Sequence, residues 1–423
     1  MNLNSIHDWL KLSKTHQLLR ELYPDVNQAI TRLQTNLHQF QIQFPQSKEI
    51  DIFTSSGRVE LCGNHSDHQG GLVLGCAIHL DTIAIVSLRH DDWIHLYSQG
   101  YDPIHVQISD TEVNDSEEHS TLSIIKGCCA LFSKVASLQG LNITVESTLP
   151  SGSGLSSSAS FECLLLQIFS TYFAHSALSP LDIAQLAQKV ENNYFKKPSG
   201  LLDQLCVAYG GVNLLDFKNP IPTITPVPLT NILNEYDLCI IKTPDNHSNL
   251  SDAYRRIVED CQCIAHHYKQ ERLVDVSESL FYEELPKLQH LYSSQALLRA
   301  HHFFSEQKRV MTAKEALNSQ DPSLFLQQIN DSGHSSFEYL NNVLHPQNNT
   351  HHIALGLAIA QRLLHPFGAS RVHGGGFAGS LLCIVPKPLT PTLKTIMQAQ
   401  FNDECFIQCK VRKHGVIRLT SDQ

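Results

Sequence analysis

Residues 150–160 read PSGSGLSSSAS, a Gly/Ser segment that lies between a predicted strand and a predicted helix. Alternating apolar and polar side chains over 141–149 indicate the strand, and an apolar run over 161–173 indicates the helix. Glycines let a backbone close around an anion, and the amide groups at a helix start point toward it. A flexible linker of this composition would be solvated, whereas apolar elements flank this segment on both sides. The segment therefore predicts a phosphate-binding loop. Because the chain contains no Gly-Lys pair, the loop is not of the GxxxxGK[ST] type.

A second polar segment, residues 57–71, reads GRVELCGNHSDHQGG and leads into a predicted apolar strand over 72–88. Asp and Asn side chains exchange hydrogen bonds with vicinal hydroxyls, and a fixed Arg neutralises charge that develops during a transfer reaction. The segment therefore indicates a sugar site, although the same composition also suits a solvated turn.

Two further features carry chemistry. Glu191 is followed twelve residues later by Asp203, which lies among apolar residues in the segment SGLLDQ at 199–204. A carboxylate in apolar surroundings is a candidate general base, and an N-cap Asp is the structural alternative. Residues 374–379 read GGGFAG before a predicted strand, which either lets a ligand approach closely or forms a tight bend.

Composition restricts the partners of the chain. It has 423 residues, with 31 Lys and Arg against 41 Asp and Glu, and a net charge of −10. An acidic chain without basic runs is a poor ligand for nucleic acid or an anionic membrane, and no stretch approaches the roughly 20 apolar residues of a spanning helix. The first twenty residues lack the apolar core of a signal peptide, and the 12 Cys are dispersed, many of them within apolar runs. We therefore expect a cytoplasmic protein with neither nucleic-acid nor membrane partners.

The order of predicted elements indicates a mixed α and β fold rather than a strict βαβ alternation. Helices are expected over 6–44, interrupted at Pro24, and over much of 254–326. The length predicts two domains, and the segment KNPIP at 218–222 suits a boundary. We place the domains at 1–216 and 217–423.

In order and spacing, these four segments resemble those of the GHMP superfamily of small-molecule kinases, and most closely the galactokinases. Residues 57–71 are similar to the signature GRVNLIGEHTDYNGG, and residues 150–160 match the loop PxGxGLSSSAS without a gap. Residues 199–204 resemble CGIMDQ, and residues 372–379 resemble MTGGGFGG. The resemblance implies a two-domain α+β fold, with mixed sheets flanked by helices and the active site in the cleft between the domains. It also implies a monomeric phosphotransferase that uses ATP and Mg²⁺ to convert galactose to galactose 1-phosphate.

The same resemblance implies roles for single residues. Asp203 is expected to act as the catalytic base, and Arg58 to orient it and to stabilise the transferring phosphoryl group. Ser158 and Glu191 are expected to hold Mg²⁺ between the phosphates of ATP. The expected sugar-binding residues are Asn64, His65, Ser66, Asp67, Gly200 and Tyr254. The expected ATP-binding residues are Ser98, Gly152, Ser153, Gly154, Leu155, Ser156, Ser157 and Ser158.

One departure from the family pattern concerns the sugar. Galactokinases carry Glu at the position of Asn64, where it faces the C6 hydroxyl, and Asn removes repulsion against a C6 carboxylate. His68, if protonated, could pair with such a carboxylate. A kinase of galacturonate or of N-acetylgalactosamine therefore stays open beside a galactose kinase. A catalytically silent sugar sensor is a third alternative, but the complete Gly/Ser loop and the presence of Arg58 and Asp203 favour an enzyme.

Overall fold

The computed structural model describes residues 1–2, 5–150, 153–197, 199–245, 250–347 and 349–420. Within these ranges the chain is an α+β protein built on two sheets. The helices are α1 (Ile6–Trp9), α2 (Ser13–Leu22), α3 (Val26–Gln43), α4 (Thr121–Phe132), α5 (Ser157–Phe173), α6 (Pro180–Asn193), α7 (Leu202–Tyr209), α8 (Thr230–Glu235), α9 (Ser251–His267), α10 (Glu278–Leu288), α11 (Ser294–Asn318), α12 (Pro322–Ser335), α13 (His352–Leu364) and α14 (Thr390–Gln400). The strands are β1 (Asp51–Cys62), β2 (Leu72–Leu88), β3 (Trp93–Ser98), β4 (Ile104–Gln107), β5 (Leu141–Ser147), β6 (Val212–Asp216), β7 (Thr223–Pro226), β8 (Tyr236–Lys242), β9 (Ala369–His373), β10 (Ser380–Pro386), β11 (Phe406–Cys409) and β12 (Ile417–Arg418).

The opening helices α1 to α3 confirm the prediction of a helical segment that is interrupted at Pro24. Pro24 separates α2 from α3 because its ring cannot continue a helix, and the Asp25 side chain then caps α3 by accepting two backbone amides. Leu33 and Phe40 on the buried side of α3 pack in one cluster with Ile52 of β1. The helices thereby cover one face of the first sheet.

The first sheet has the order β12-β1-β2-β5-β3-β4, with β6 paired to β2 and β7 paired to β6. Strands β1 and β2 form a long antiparallel hairpin in which Ile52 lies opposite Ile85. These two side chains face α1 to α3, whereas their neighbours Phe53 and Ala84 face the layer formed by α4 to α7. Both faces are covered, which explains why residues 72–88 read as a nearly continuous apolar run.

The second sheet has the order β11-β8-β10-β9 and is antiparallel throughout. Leu357 of α13 packs on one face, in a cluster with Leu381 of β10. Phe325 of α12 packs on the other face with Leu382, and the same cluster extends to Val59 of β1. This cluster therefore forms a core that joins the two halves of the chain.

Two strands from beyond residue 216 belong to the first sheet. β7 pairs with β6, and β12 pairs with β1 through Phe53 opposite Arg418. Just before β12, the fully buried guanidinium of Arg412 lies 3.0 Å from the buried carboxylate of Asp81 on β2. The division into 1–216 and 217–423 stays a prediction, and the first sheet takes in segments from both sides of it.

The cysteines are buried, as predicted, with Cys263 as the half-buried exception, and all 12 are free thiols. Among the residues that the structure describes, no helix combines the length and the apolar character needed to cross a bilayer.

Candidate active site

The centre of the site is an ion pair between Arg58 in β1 and Asp203 in the first turn of α7. Arg58 Nε and Nη2 lie 2.9 and 2.7 Å from Asp203 Oδ1, and the Ser156 hydroxyl donates to Oδ2 over 2.5 Å. Burial opposes ionisation of Asp203, but the charges of Arg58 and Lys197 outweigh it and hold the pKa of Asp203 below its usual value. Both carboxylate oxygens are therefore fixed in a group that is ionised at neutral pH.

Arg58 also ties this pair to the Gly/Ser loop. Its guanidinium donates to the carbonyl of Gly154, and its backbone amide donates to the carbonyl of Leu155 over 3.2 Å. Leu155 is buried in the core, and Gly154 has a φ of +71°, a conformation that favours glycine. The loop is thus anchored by one apolar side chain and one arginine, directly beside Asp203.

The start of α5 has the features of an anion site. Ser156 occupies the N-cap position with a left-handed backbone, and its hydroxyl is turned to Asp203 instead of capping the helix. Ser157 is exposed and Ser158 half-buried. The first amide groups of a 17-residue helix therefore lack a side-chain cap, which is the arrangement that binds phosphate oxygens.

The remaining residues predicted for the nucleotide differ in their placement. Ser153 is buried and its hydroxyl donates to the carbonyl of Pro150 over 2.6 Å, whereas Gly152 lies outside the described residues. Ser98 ends β3 opposite Val145 of β5, and in the described part of the chain no hydrogen bond joins it to residues 153–158. The assignment of Ser98 to the nucleotide stays a prediction.

Ser158 and Glu191, the predicted ligands of Mg²⁺, meet in the structure. The Ser158 hydroxyl donates to Glu191 Oε1 over 2.8 Å, and Glu191 Oε2 accepts from Ser199 Oγ over 2.5 Å and from Gln204 Nε2 over 2.6 Å. Glu191 is fully buried. Hydroxyl and carboxylate oxygens are ligands that Mg²⁺ accepts, and it usually binds through one or two protein groups plus phosphates and water. The donor set therefore fits a cation that arrives with a triphosphate. Within the described residues no group of three or more His, Cys, Asp and Glu could hold a metal on its own.

Lys197 is a residue of this site that the sequence analysis did not single out. Its ammonium lies 2.7 Å from Glu191 Oε1, the same oxygen that accepts from Ser158. Burial opposes the charge, but the carboxylates of Glu191 and Asp203 raise the pKa of Lys197 above its usual value. The only signal for Lys197 in the sequence is its position between Glu191 and Asp203. The hydrophobic periodicity does not predict the path of the backbone in this segment.

Four of the predicted sugar residues face one another across the two halves of the chain. A Cβ at Gly200 would collide with the Asp67 carboxylate, so glycine leaves the space that this carboxylate occupies. His65 donates from Nε2 to the carbonyl of Gly375 over 2.9 Å, and the ring of Tyr254 is stacked on His65 at a centroid distance of 6.5 Å. The half-buried Asp67, His65 and Tyr254 therefore line one wall beside Asp203, whose charge raises the pKa of Asp67 in addition to burial.

The expectation that His68 pairs with an anionic sugar is not supported. Burial, followed by the charge of His302, lowers the pKa of His68 to about 4, so this imidazole is neutral at physiological pH. Without a ligand His68 therefore offers no counter-charge, and a bound carboxylate would have to raise its pKa into the physiological range to gain one. Burial and the charge of His68 likewise lower the pKa of His65 to about 3.

The surroundings of Asn64 do not favour a direct contact with the sugar, and its assignment to the sugar stays a prediction. Its side chain is 1% exposed, and Nδ2 donates to Glu60 Oε1 over 3.1 Å and to the carbonyl of Gly374 over 2.7 Å. Its Oδ1 accepts from Asn342 over 2.8 Å and from Ser336 over 3.3 Å. All four hydrogen-bonding positions are taken by protein groups, so Asn64 is a buried cross-link behind the sugar wall.

Ser66 is fully buried as well. Its hydroxyl accepts from Gln307 Nε2 of α11 over 3.0 Å, a contact between the two halves of the chain. The assignment of Ser66 to the sugar stays a prediction.

Helix α11 holds this segment through side chains that the sequence analysis did not assign to the site. Glu306 accepts from the amide of Gly63 over 2.9 Å, and His302 Nε2 lies 2.9 Å from the carbonyl of Asn64. Gln307 accepts from the amide of Leu72 over 2.6 Å. His302 and Glu306 lie four residues apart on one face of α11, and Gln307 follows directly after Glu306. Together the three side chains fix both ends of the segment 63–72.

A buried histidine links the glycine cluster to the phosphate loop. His373 Nε2 accepts from the amide of Glu60 over 3.3 Å, and its Nδ1 lies 3.3 Å from Ser380 Oγ, which donates to the carbonyl of Ser153 over 2.9 Å. Burial and then the charge of Arg58 hold the pKa of His373 well below its usual value. The neutral ring can therefore accept and donate at once, and it joins strands β1, β9 and β10 to the loop.

Comparison with known proteins defines first a class and then a family. Residues 123–211 match the family model described as GHMP kinases N terminal domain. The Lactococcus lactis galactokinase structure, complexed with galactose, superposes with a TM-score of 0.79 over 91% of this chain and 99% of that one, at 22% identity. A Methanococcus jannaschii mevalonate kinase superposes with a TM-score of 0.62 over 86% of this chain and 98% of that one, at 16% identity. The fold is therefore that of the GHMP kinases.

Comparison of sequences identifies a family within this class. Residues 38–88 match the model described as the galactokinase galactose-binding signature. The galactokinase of Lactobacillus helveticus is 30% identical over 345 residues, which cover 80% of this chain and 87% of that protein. The galactokinase of Limosilactobacillus fermentum is 29% identical over 357 residues, covering 81% and 88%. The chain belongs to the galactokinase family, and it is a phosphotransferase with a hydroxyl group as acceptor.

Proposed function

We propose that this protein transfers the γ-phosphoryl group of ATP to the anomeric hydroxyl of galactose and releases galactose 1-phosphate. The observation that carries the proposal is the fixed carboxylate of Asp203, held between Arg58 and Ser156 where the sugar segment meets the phosphate loop. The galactokinases to which the chain is similar, and the galactose in the Lactococcus lactis structure, support galactose as the acceptor.

Asp203 is assigned to the proton of the attacking hydroxyl. Its lowered pKa keeps it ionised, so it can accept a hydrogen bond from the anomeric hydroxyl and take the proton as the phosphoryl group departs from ATP. Two nitrogens of the Arg58 guanidinium bind one oxygen of this carboxylate, and the third lies against the Gly/Ser loop. Its positive charge is therefore close to the negative charge of the transferring phosphoryl group.

The phosphates of ATP are assigned to the amide groups at the start of α5. Ser158 and Glu191 are the residues that would hold Mg²⁺ there. When bound, the cation neutralises charge on the phosphate oxygens. Asp67, His65 and Tyr254, with the space left by Gly200, are assigned to the sugar hydroxyls, because they offer acceptors and a flat apolar face along one wall.

The galacturonate alternative rested on Asn64 and His68, and neither residue favours it in the structure. The Asn64 side chain forms its hydrogen bonds with protein groups, and the His68 imidazole is neutral. The sensor alternative is not favoured either, since Arg58, Asp203, Ser158 and Glu191 form an intact set of contacts. We therefore favour the galactose kinase over these two alternatives, and a kinase of N-acetylgalactosamine stays open beside it.

The test is a substrate panel with ATP and Mg²⁺, in which released ADP is measured with galactose, galacturonate, N-acetylgalactosamine and glucose. Galactose is expected to give the highest kcat/KM. In Asp203→Asn, kcat with galactose is expected to fall about 10²–10⁴-fold while ATP binding stays near the wild-type level. Asp102→Asn, at an exposed position, is the matched control. Turnover in Asp203→Asn above a third of the wild-type rate would remove the base assignment. A higher kcat/KM with another sugar would remove the galactose assignment.

A further inference from the structure

Lys197 stands at the point where the proposed nucleotide ligands converge. Its ammonium and the Ser158 hydroxyl contact the same oxygen of Glu191, over 2.7 and 2.8 Å. The other oxygen of Glu191 is occupied by Ser199 and Gln204, which fix the carboxylate in place. The ammonium thus takes up a position beside Glu191 and Ser158, where a cation held by these two residues would lie.

The base of the Lys197 side chain is fixed, and the side chain is only partly covered. The backbone amide of Lys197 donates to the carbonyl of Glu191 over 3.1 Å. The side chain is 48% exposed, and its ammonium pairs with the fully buried Glu191. A lysine side chain is a flexible chain of four carbons that ends in the ammonium. The ammonium can therefore move from one anion to another nearby without a movement of the backbone.

The charges around Lys197 favour such a move when ATP binds. In the nucleotide-free protein the fully buried Glu191 needs a positive partner, because an unpaired buried carboxylate is costly. When a divalent cation is bound at Glu191, the ammonium meets like charge there, while the phosphate oxygens at the start of α5 present negative charge close by. Asp203 also lies within electrostatic reach of the ammonium.

We propose that Lys197 is a phosphate-binding residue of the active site: its ammonium neutralises Glu191 in the absence of nucleotide and pairs with a phosphate oxygen once ATP is bound. This inference rests on the proposed function, since it requires ATP at the start of α5. Without Mg²⁺ the ammonium contacts the phosphate while it stays paired with Glu191, so it contributes a share of ATP binding that does not depend on the metal. With Mg²⁺ at Glu191 it pairs with the phosphate alone, which makes Lys197 a competitor of Mg²⁺ for Glu191.

Replacement of Lys197 by Met therefore has opposite effects on two affinities. Binding of ATP without a divalent cation loses a charge-assisted contact, and its Kd is expected to rise about tenfold, at the low end for such contacts because the side chain is half exposed. Binding of Mg²⁺ in the presence of ATP loses its competitor, so the Mg²⁺ concentration for half-maximal ATP binding is expected to fall. Lys197→Arg keeps the charge and is expected to restore most of the metal-free ATP affinity.

The experiment is calorimetric titration of ATP into the full-length protein, once with EDTA and once over a series of Mg²⁺ concentrations. Lys196→Met is the matched control, because it removes the same charge from the adjacent, exposed position. If the wild type binds ATP and Lys197→Met behaves as Lys196→Met does, the inference is overturned while the proposed function stands. Equal weakening with and without Mg²⁺ in Lys197→Met also overturns it, since that result makes Lys197 a structural partner of Glu191. If the wild type binds no ATP in either buffer, the proposed function and the inference both fail.

Discussion

Replacing Asn64 by Asp changes one NH₂ group to an oxygen and leaves the size of the side chain unchanged. In the wild type this NH₂ group donates to the Glu60 carboxylate over 3.1 Å and to the carbonyl of Gly374 over 2.7 Å. In the variant both donors are lost, and a new carboxylate oxygen faces the Glu60 carboxylate in a fully buried place. Burial already raises the pKa of Glu60, even though Arg371 and Arg58 act against this. We therefore expect Asn64→Asp to destabilise the fold.

The size of the loss follows from two limits. Two like charges about 4 Å apart repel by about 4 kcal/mol at an effective dielectric constant of about 20. The alternative is to protonate the new carboxyl, which from an ordinary Asp pKa of about 4 costs about 5 kcal/mol at pH 7.5, because each pH unit is about 1.4 kcal/mol. We expect a loss of about 3–5 kcal/mol at pH 7.5. The new carboxyl has a raised pKa in the folded state, so the loss shrinks as the pH falls, and protonation at pH 5.5 costs only about 2 kcal/mol.

The assay is urea-induced unfolding of wild type and variant at pH 7.5 and pH 5.5, together with KM for galactose at pH 7.5. Asn27→Asp, an exposed Asn→Asp change near the start of α3, is the control and is expected to stay within about 0.5 kcal/mol. The reasoning is refuted if Asn64→Asp unfolds like Asn27→Asp while KM for galactose rises more than tenfold. That result would mean that Asn64 is turned toward the sugar and that its contacts with Gly374 and Asn342 are not maintained.

Two other substitutions separate the nucleotide side of the site from the sugar side. Ser158→Ala is expected to weaken binding of Mg²⁺–ATP about tenfold and to leave galactose binding without nucleotide unchanged. Calorimetric titration measures both affinities, and an equal loss of both indicates a folding defect instead. Glu306→Gln weakens the hold on the amide of Gly63 and is expected to raise KM for galactose about tenfold, with kcat and KM for ATP within about twofold of wild type. Glu315→Gln, on the exposed side of α11, is its control, and a parallel change of both KM values would contradict a positioning role for Glu306.

Elements that follow a local rule were predictable from the sequence. Pro24 divides the opening helices, and the apolar run over 72–88 coincides with β2 (Leu72–Leu88). The segment 57–71 was less clear, because its first six residues continue strand β1 rather than forming a turn. Its polar side chains Arg58 and Glu60 are accommodated in a buried strand because distant parts of the chain supply charged partners, Asp203 for Arg58 and Arg371 for Glu60.

The predicted site residues fall into two groups, according to how far along the sequence their contact partners lie. Ser158 and Glu191, which the motifs assign to one site, lie in hydrogen-bonding contact because α5 and α6 pack side by side. The hydrogen bonds of Asn64 were not predictable, because its partners Ser336 and Asn342 lie more than 270 positions away in the chain. Periodicity and composition are local properties, and they contain no information about which distant backbone or side-chain group reaches a buried amide. Lys197 was missed for a related reason, since its segment is irregular and only the folded chain brings its ammonium to Glu191.

The pairing of β12 with β1 has a consequence for how the protein is made. Asp51 begins β1 and binds Arg418 across 367 positions of sequence, and Arg412 supplies a buried charge to Asp81. During synthesis, β1 therefore lacks its partner β12, and the buried carboxylate of Asp81 lacks Arg412, until the second half of the chain has left the ribosome. A nascent chain released before residue 412 carries its defect in the first half, at Asp81 and along β1, and an exposed strand edge of this kind invites pairing with other chains.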